Sequence, residues 1–131
     1  MLGFIGGTGP EGKGLALRFA ISGINVFIGS RQEQRGIEAA EDLISRFDEI
    51  SADRVKGGTN ERAASDCEVA VICTPYSGHR ETLKSLKQNL TGKTVVDVVA
   101  PLSFQKGSIS AIDVEEGSAA EEAQLILPDS N

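Results

Sequence analysis

Leu2-Gly3-Phe4-Ile5-Gly6-Gly7-Thr8-Gly9-Pro10-Glu11-Gly12-Lys13-Gly14-Leu15-Ala16 follows Met1 and decides how the rest of the chain reads. Leu2 to Ile5 is a short apolar strand, and Gly7 to Gly12 fits G-x-G-x-x-G between that strand and an amphipathic helix predicted to reach Ser22. A glycine cluster alone is an ordinary turn; its flanks give this one its meaning. Gly7 permits a tight turn, Gly9 leaves no side chain where a diphosphate must approach, and Gly12 lets helix and strand pack closely. The free amides and positive end of the helix then receive phosphate charge. Leu15, Ala16, Phe19 and Ala20 recur at helical spacing as the face toward a sheet, Gly14 is expected to allow close backbone approach there, and Gly23 ends the helix. Lys13-Gly14 lacks the hydroxyl that a phosphate-hydrolysing G-x-x-x-x-G-K-[ST] loop needs for magnesium. Lys13 therefore reads either as a neighbour of the phosphates or as an ordinary exposed lysine.

Outward from this stretch, strands and helices alternate. Asn25 to Ile28 is a second strand, followed by Gly29-Ser30-Arg31 and a helix with Ile37, Ala40, Leu43, Ile44 and Phe47 on one side. Arg54 to Gly58 is a weak third strand and Glu68 to Cys73 a strong fourth, closed by Thr74-Pro75. Leu83, Leu86 and Leu90 mark the next helix. Thr94 to Val99 reads as a buried parallel strand, Ser103 to Ser110 as a loop near the site, and Ser118-Ala119-Ala120-Glu121 as a capping box opening a last short helix. Right-handed crossovers then imply an α/β fold: a Rossmann-like three-layer αβα sandwich with a mostly parallel sheet in the order 3-2-1-4-5. The ligand crevice falls at the carboxyl ends of strands one and four, where the winding reverses.

The 131 residues, 40% hydrophobic and 24% charged, suit a single domain, residues 1–131. A net charge of -6 disfavours a nucleic-acid partner and gives no basic strip for a membrane. No apolar run is long enough for a membrane span and the start lacks a basic leader, so a cytoplasmic protein is expected. Cys67 and Cys73 have no metal-type spacing and read as plain buried thiols.

Cofactor preference is read at the end of the second strand. An NAD-selective site usually places an acid there to take the ribose hydroxyls. This chain has Ser30-Arg31, which suits a 2'-phosphate through a forked guanidinium and a hydroxyl, with Arg35 adding charge one helical turn on. The expectation is NADP rather than NAD. Pro75 stops the fourth strand, leaving Thr74 free to line the nicotinamide side. His79 follows at a helix start and either approaches a cofactor or substrate or is a satisfied surface or capping histidine, since no Cys, Asp or Glu sits near it at ligand spacing. Asp97, inside an apolar strand, must be hydrogen-bonded if buried; it caps backbone amides or shapes the crevice. Tyr76 is the only tyrosine, and Tyr76-Ser77-Gly78-His79-Arg80 lacks the lysine four positions on that short-chain dehydrogenases use. Gly117-Ser118-Ala119-Ala120 leaves room for a flat or anionic group, or for tight helix packing.

At these residues the chain resembles the NADPH-dependent reductases of the deazaflavin coenzyme F-420. Ile5 to Arg18 is similar to that family's phosphate turn and first helix, and Ile28-Gly29-Ser30-Arg31 with Arg35 to its second-strand ending. Cys73-Thr74-Pro75-Tyr76 resembles a segment that often reads T-[VI]-P-[WF], shifted in detail. Pro101-Leu102 and Gly117 to Glu122 resemble the segments facing the deazaflavin. The resemblance implies hydride transfer between NADP(H) and coenzyme F-420. It places Thr8, Ser30, Arg31 and Arg35 on NADP, beside the Gly7-Thr8-Gly9-Pro10-Glu11-Gly12 turn, and Thr74, Pro75 and His79 near the stacked rings. It demands no catalytic base. Family members continue into a smaller helical domain that helps form the coenzyme pocket and a homodimer, so a fragment of a longer enzyme is expected. An NADP-dependent reductase of another carbonyl, imine or metal substrate, and a module that senses NADP without chemistry, are the alternatives.

Overall fold

The computed structural model describes all residues, 1–131. Its elements run β1 (Leu2–Ile5), α1 (Pro10–Ile21), β2 (Val26–Ser30), α2 (Glu33–Arg46), β3 (Val55–Thr59), α3 (Asn60–Asp66), β4 (Val69–Ile72), α4 (Tyr76–Leu90), β5 (Thr94–Asp97), β6 (Leu102–Gln105), β7 (Ser108–Ala111) and α5 (Ala119–Ile126). The first five strands form one sheet in the expected order 3-2-1-4-5, with every pairing parallel.

Successive strand residues point to opposite faces, and both faces are apolar. Ile5, Phe27 and Ile72 join Leu83, Leu86 and Leu90 on the side of α3, α4 and α5. Phe4, Ile28 and Val71 join Ala16, Ala20 and Leu43 on the side of α1 and α2. Each of the Ile, Leu, Val and Phe side chains among them contributes about 1.5–3 kcal/mol by leaving water, and each alanine less.

Close packing of α1 falls at Gly12, Ala16 and Ala20, all buried. Leu15 and Phe19 sit at the margin, Phe19 36% exposed and tilted against Phe4 with ring centroids 6.2 Å apart. Gly14 is not the point of approach: a Cβ there would meet only the Arg18 guanidinium, at 3.6 Å. At Gly12 a Cβ would lie 2.6 Å from Gly7 Cα, so the helix can sit on the turn only without a side chain.

Two further expectations change, and one helix is added to them. The strand at Thr94 ends with Asp97, and β5 is a half-exposed edge strand, Val96 being 43% exposed. On that face α1 and α2 pack over β2 and β3, which leaves β5 uncovered. Along its outer edge the backbone of Asn131 donates to Lys93 and accepts from Val95. Ser103 to Ser110, expected as a loop, lies within an antiparallel hairpin of β6 and β7 that turns at Lys106-Gly107, where Gly107 takes φ +82. Between β3 and β4 an unexpected helix, α3, is capped by Thr59, whose hydroxyl accepts from the Arg62 amide at 3.2 Å. Half of the capping box expected at α5 forms: the Ser118 hydroxyl accepts from the Glu121 amide at 3.1 Å, while the Glu121 carboxylate accepts from that hydroxyl at 2.8 Å rather than from the Ser118 amide. No helix is long and apolar enough to cross a membrane.

Candidate dinucleotide site

The glycine turn lies at the carboxyl end of β1, at the reversal of sheet order. Gly6 takes φ +70, and a side chain there would strike Thr74. The Gly7 amide donates to Phe4 and Gly29 carbonyls, and the Gly6 amide donates to Asn60 Oδ1 at 2.9 Å. Asn60, buried at the start of α3, thereby pins the turn from the opposite layer. Sequence reasoning missed Asn60 along with α3; Thr59-Asn60 before Ala63-Ala64 was the available signal.

Those bonds leave the amides of Thr8, Gly9, Glu11 and Gly12 without a protein acceptor, in a helix start that no side chain caps. A Cβ at Gly9 would meet nothing within 4 Å, so open space lies before these donors. Four amides and the positive end of α1 facing a gap without side chains fit a diphosphate. Pro10 begins the helix, where its missing N–H costs nothing, and the exposed Glu11 takes part through its backbone. Lys13 bonds Asp42 of α2 at 3.2 Å, an inter-helix ion pair that neither expectation included.

Ser30 is the last residue of β2 and is buried; its Oγ accepts from the Gln32 amide at 3.2 Å, which leaves its O–H free to donate. Arg31 and Arg35 are exposed, Arg35 in the first turn of α2, and neither makes an ion pair. Arg31 borders a cleft of about 300 Å³ with Asn60, Glu61, Ser77, Gly78 and Glu81. These positions suit the phosphate-bearing ribose of a dinucleotide whose diphosphate rests on α1.

Thr74 and Pro75 lie between β4 and α4, on the far side of the glycine turn. Thr74 Oγ1 is buried without a hydrogen-bond partner, an orphan that a polar ring substituent would satisfy. Cys73 beside it is held up to about 12 by burial, with the charges of Glu11 and Asp97 adding to the effect, so its thiol stays protonated.

His79 departs from both of its expected roles. It is 0% exposed and presents no atom to a crevice ligand. Its Nδ1 lies 2.9 Å from Glu122 Oε1 and its Nε2 2.7 Å from Asp97 Oδ2. Asp97 Oδ1 also accepts from the Val99 amide at 2.9 Å, as expected of a carboxylate capping local backbone. Glu122 Oε2 accepts from Arg80 at 2.7 Å, and Arg80 also bonds Glu116 at 2.6 Å. Burial works to lower the pKa of His79, but hydrogen bonds and charges from Asp97 and Glu122 outweigh it and hold the proton above the usual histidine range.

A parallel sheet ordered 3-2-1-4-5 with a glycine turn and free amides at its reversal point defines a dinucleotide-binding α/β domain of the Rossmann class. The family described as NADP oxidoreductase, coenzyme F420-dependent, matches residues 1–101. The chain belongs to that family. It is 40% identical over 129 residues to the F420-dependent NADP reductase of Methanothermobacter marburgensis, covering 95% of this chain and 56% of that protein. With the reductase of the same name from Methanocaldococcus jannaschii it shares 36% identity, covering 98% and 59%. A crystal structure from Arthrobacter sp. FB24, provisionally labelled an F420-dependent NADP reductase, superposes with a TM-score of 0.80 at 26% identity, covering 98% of this chain and 59% of that one. The chain thus spans little more than half the length of these relatives.

Proposed function

We propose that residues 1–131 form the NADP-binding domain of an oxidoreductase that moves hydride between NADP(H) and coenzyme F-420. Family membership and the names of the relatives support this reading. The observation that carries it is the set of four unengaged amides before an open gap at the start of α1, with Ser30 and Arg31 one strand away. In this reading Gly7 to Gly12 take the diphosphate through backbone donors. Ser30, Arg31 and Arg35 take the 2'-phosphate, and Thr74 and Pro75 border the nicotinamide.

The two coenzymes carry the hydride chemistry themselves. The chain's residues bind, orient and exclude water, and orientation supplies much of the rate. No side chain is asked to move a proton, consistent with a crevice where Cys73 is held protonated and His79 is sealed off.

Adding coenzyme F-420 to the protein with NADPH is expected to cause NADPH oxidation that saturates with the deazaflavin. Binding of NADPH without consumption across that titration would reject the reductase reading in favour of a sensor. Arg31→Ala is expected to weaken NADP by roughly tenfold or more, the scale of a lost charge-assisted hydrogen bond, while leaving NAD nearly unchanged. Equal losses for both nucleotides, measured by fluorescence titration, would remove Arg31 from the account of selectivity.

A further inference from the structure

The buried cluster around His79 joins three segments that the diphosphate site does not use. His79 lies in the first turn of α4, Asp97 ends β5 and Glu122 lies in the first turn of α5. Asp97 pairs in register with Ile72, two residues before Thr74, so the cluster stands directly behind the segment assigned to the nicotinamide side. Its two N···O contacts, at 2.7 and 2.9 Å, require two protons, and a neutral imidazole carries one. A bare ring nitrogen would set lone pair against lone pair in a site without water access. The geometry therefore holds an extra proton among the three side chains.

We propose that His79 is a positioning residue: clamped by Asp97 and Glu122, it ties α4, β5 and α5 into one wall beside Thr74 and Pro75, and that wall is set for the second coenzyme only while the three side chains share their extra proton. This rests on the reductase reading for the identity of the second coenzyme, but not for the latch itself. The other groups facing the cluster keep one state through the relevant range. Cys73 at the end of β4 and Tyr76 on α4 are both pushed upward, first by burial and then by nearby carboxylates, and stay neutral. Arg80 on α4 stays charged, and its hydrogen bond lowers the pKa of Glu116, before α5, which stays ionised. His79, held between Asp97 and Glu122, is left to carry the change.

The folded protein holds the His79 proton more tightly than the unfolded chain does. The latch is therefore complete below the ordinary histidine range and is lost as pH rises through the folded value. Because His79 is the only histidine, its ring signals need no assignment. Nitrogen-15 NMR at neutral pH is expected to show both ring nitrogens protonated. Titration should place the loss above the usual range, with amides of Thr74, Val99 and Ala119 shifting at the same midpoint. Glu122→Gln should lower that midpoint by about one unit or more, a tenfold change in proton affinity. In turnover assays the KM for coenzyme F-420 should rise with the same midpoint while NADP affinity stays flat, and His79→Gln should flatten the KM profile.

A neutral ring at neutral pH, or amides of the wall that ignore the titration, would overturn the latch. Superimposable KM profiles for wild type and His79→Gln, or NADP affinity falling in parallel, would overturn its positioning role. Should the wild type fail to use coenzyme F-420 at any pH, the reductase reading falls alone, because the ring and amide titrations still decide the latch. Glu122→Gln, close in shape to the native residue, keeps the test available if His79→Gln does not fold.

Discussion

On the side of β1 and β2 the crevice is shaped by what side chains leave out, whereas on the side of β4 and β5 it is shaped by charged groups that meet one another away from water. The first wall is steric. Gly12 lies on Gly7 with no room for a Cβ, and the Asn60 carboxamide ties the turn to α3. The second is electrostatic at its centre, where His79, Asp97 and Glu122 join three segments whose apolar side chains, Leu83, Ala123 and Val95 among them, share one core cluster beyond the charges. A wall made by exclusion keeps its form at any pH or salt concentration. A wall made by buried charge is strong only while every partner is present and correctly protonated. In the proposed reading, diphosphate binding falls on the wall that depends on no protonation state.

Breaking the electrostatic wall should have the largest effect. Asp97→Ala removes the partner of His79 Nε2 and the acceptor of the Val99 amide together. Loss of one partner from a buried ionic group costs about 3–5 kcal/mol, and denaturant unfolding should register a loss on that scale. A loss below about 1 kcal/mol, ordinary for a surface pair, would show that the second wall does not depend on charge.

Gly12→Ala tests the steric wall. A Cβ placed 2.6 Å from Gly7 Cα forces the helix off the turn, an overpacking cost of about 1–3 kcal/mol. NADP binding should fall with it, because the amides of Glu11 and Gly12 move away from the gap. The deficit should be the same from roughly pH 6 to roughly pH 9, since no group that titrates there lies in the contact. A deficit that follows pH would couple the two walls and sharpen the comparison into a single unit.

The two walls also differ in how far they can be read from sequence. The glycine turn is legible because strand, turn and helix are consecutive, so local spacing carries all its constraints. β3 looks weak as a string, Val55-Lys56-Gly57-Gly58-Thr59, because glycine there serves packing: a Cβ at Gly57 would lie within van der Waals overlap of the α2 backbone at Gly36. Strand propensity and close helix approach pull the same positions in opposite directions. Thr94 to Val99 misleads because a run of valines looks the same at the centre of a sheet and at its edge. The His79 cluster is illegible for a different reason. Its partners stand 18 and 43 residues away: Asp97 stands out in its apolar strand but with no partner in view, and Glu122 looks unremarkable in a capped helix. Only the topology brings β5 and α5 to the start of α4.

The smallest effect is expected at the hairpin of β6 and β7, which belongs to neither wall. Phe104 and Ile109 face each other across it and are 74% and 68% exposed. An exposed cross-strand pair contributes about 0.2–1 kcal/mol, and here it acts on an antiparallel ribbon whose second strand is exposed at every residue. Phe104→Ser should therefore move the unfolding free energy of the protein by less than about 0.5 kcal/mol. The Lys106-Gly107 turn, with Gly107 already at positive φ, fixes the register without the aromatic ring. A loss above about 1 kcal/mol would mean that the hairpin packs against the charged wall in solution. The boundary between the two regions would then run through the hairpin, and the second wall would owe part of its strength to apolar contact with that ribbon.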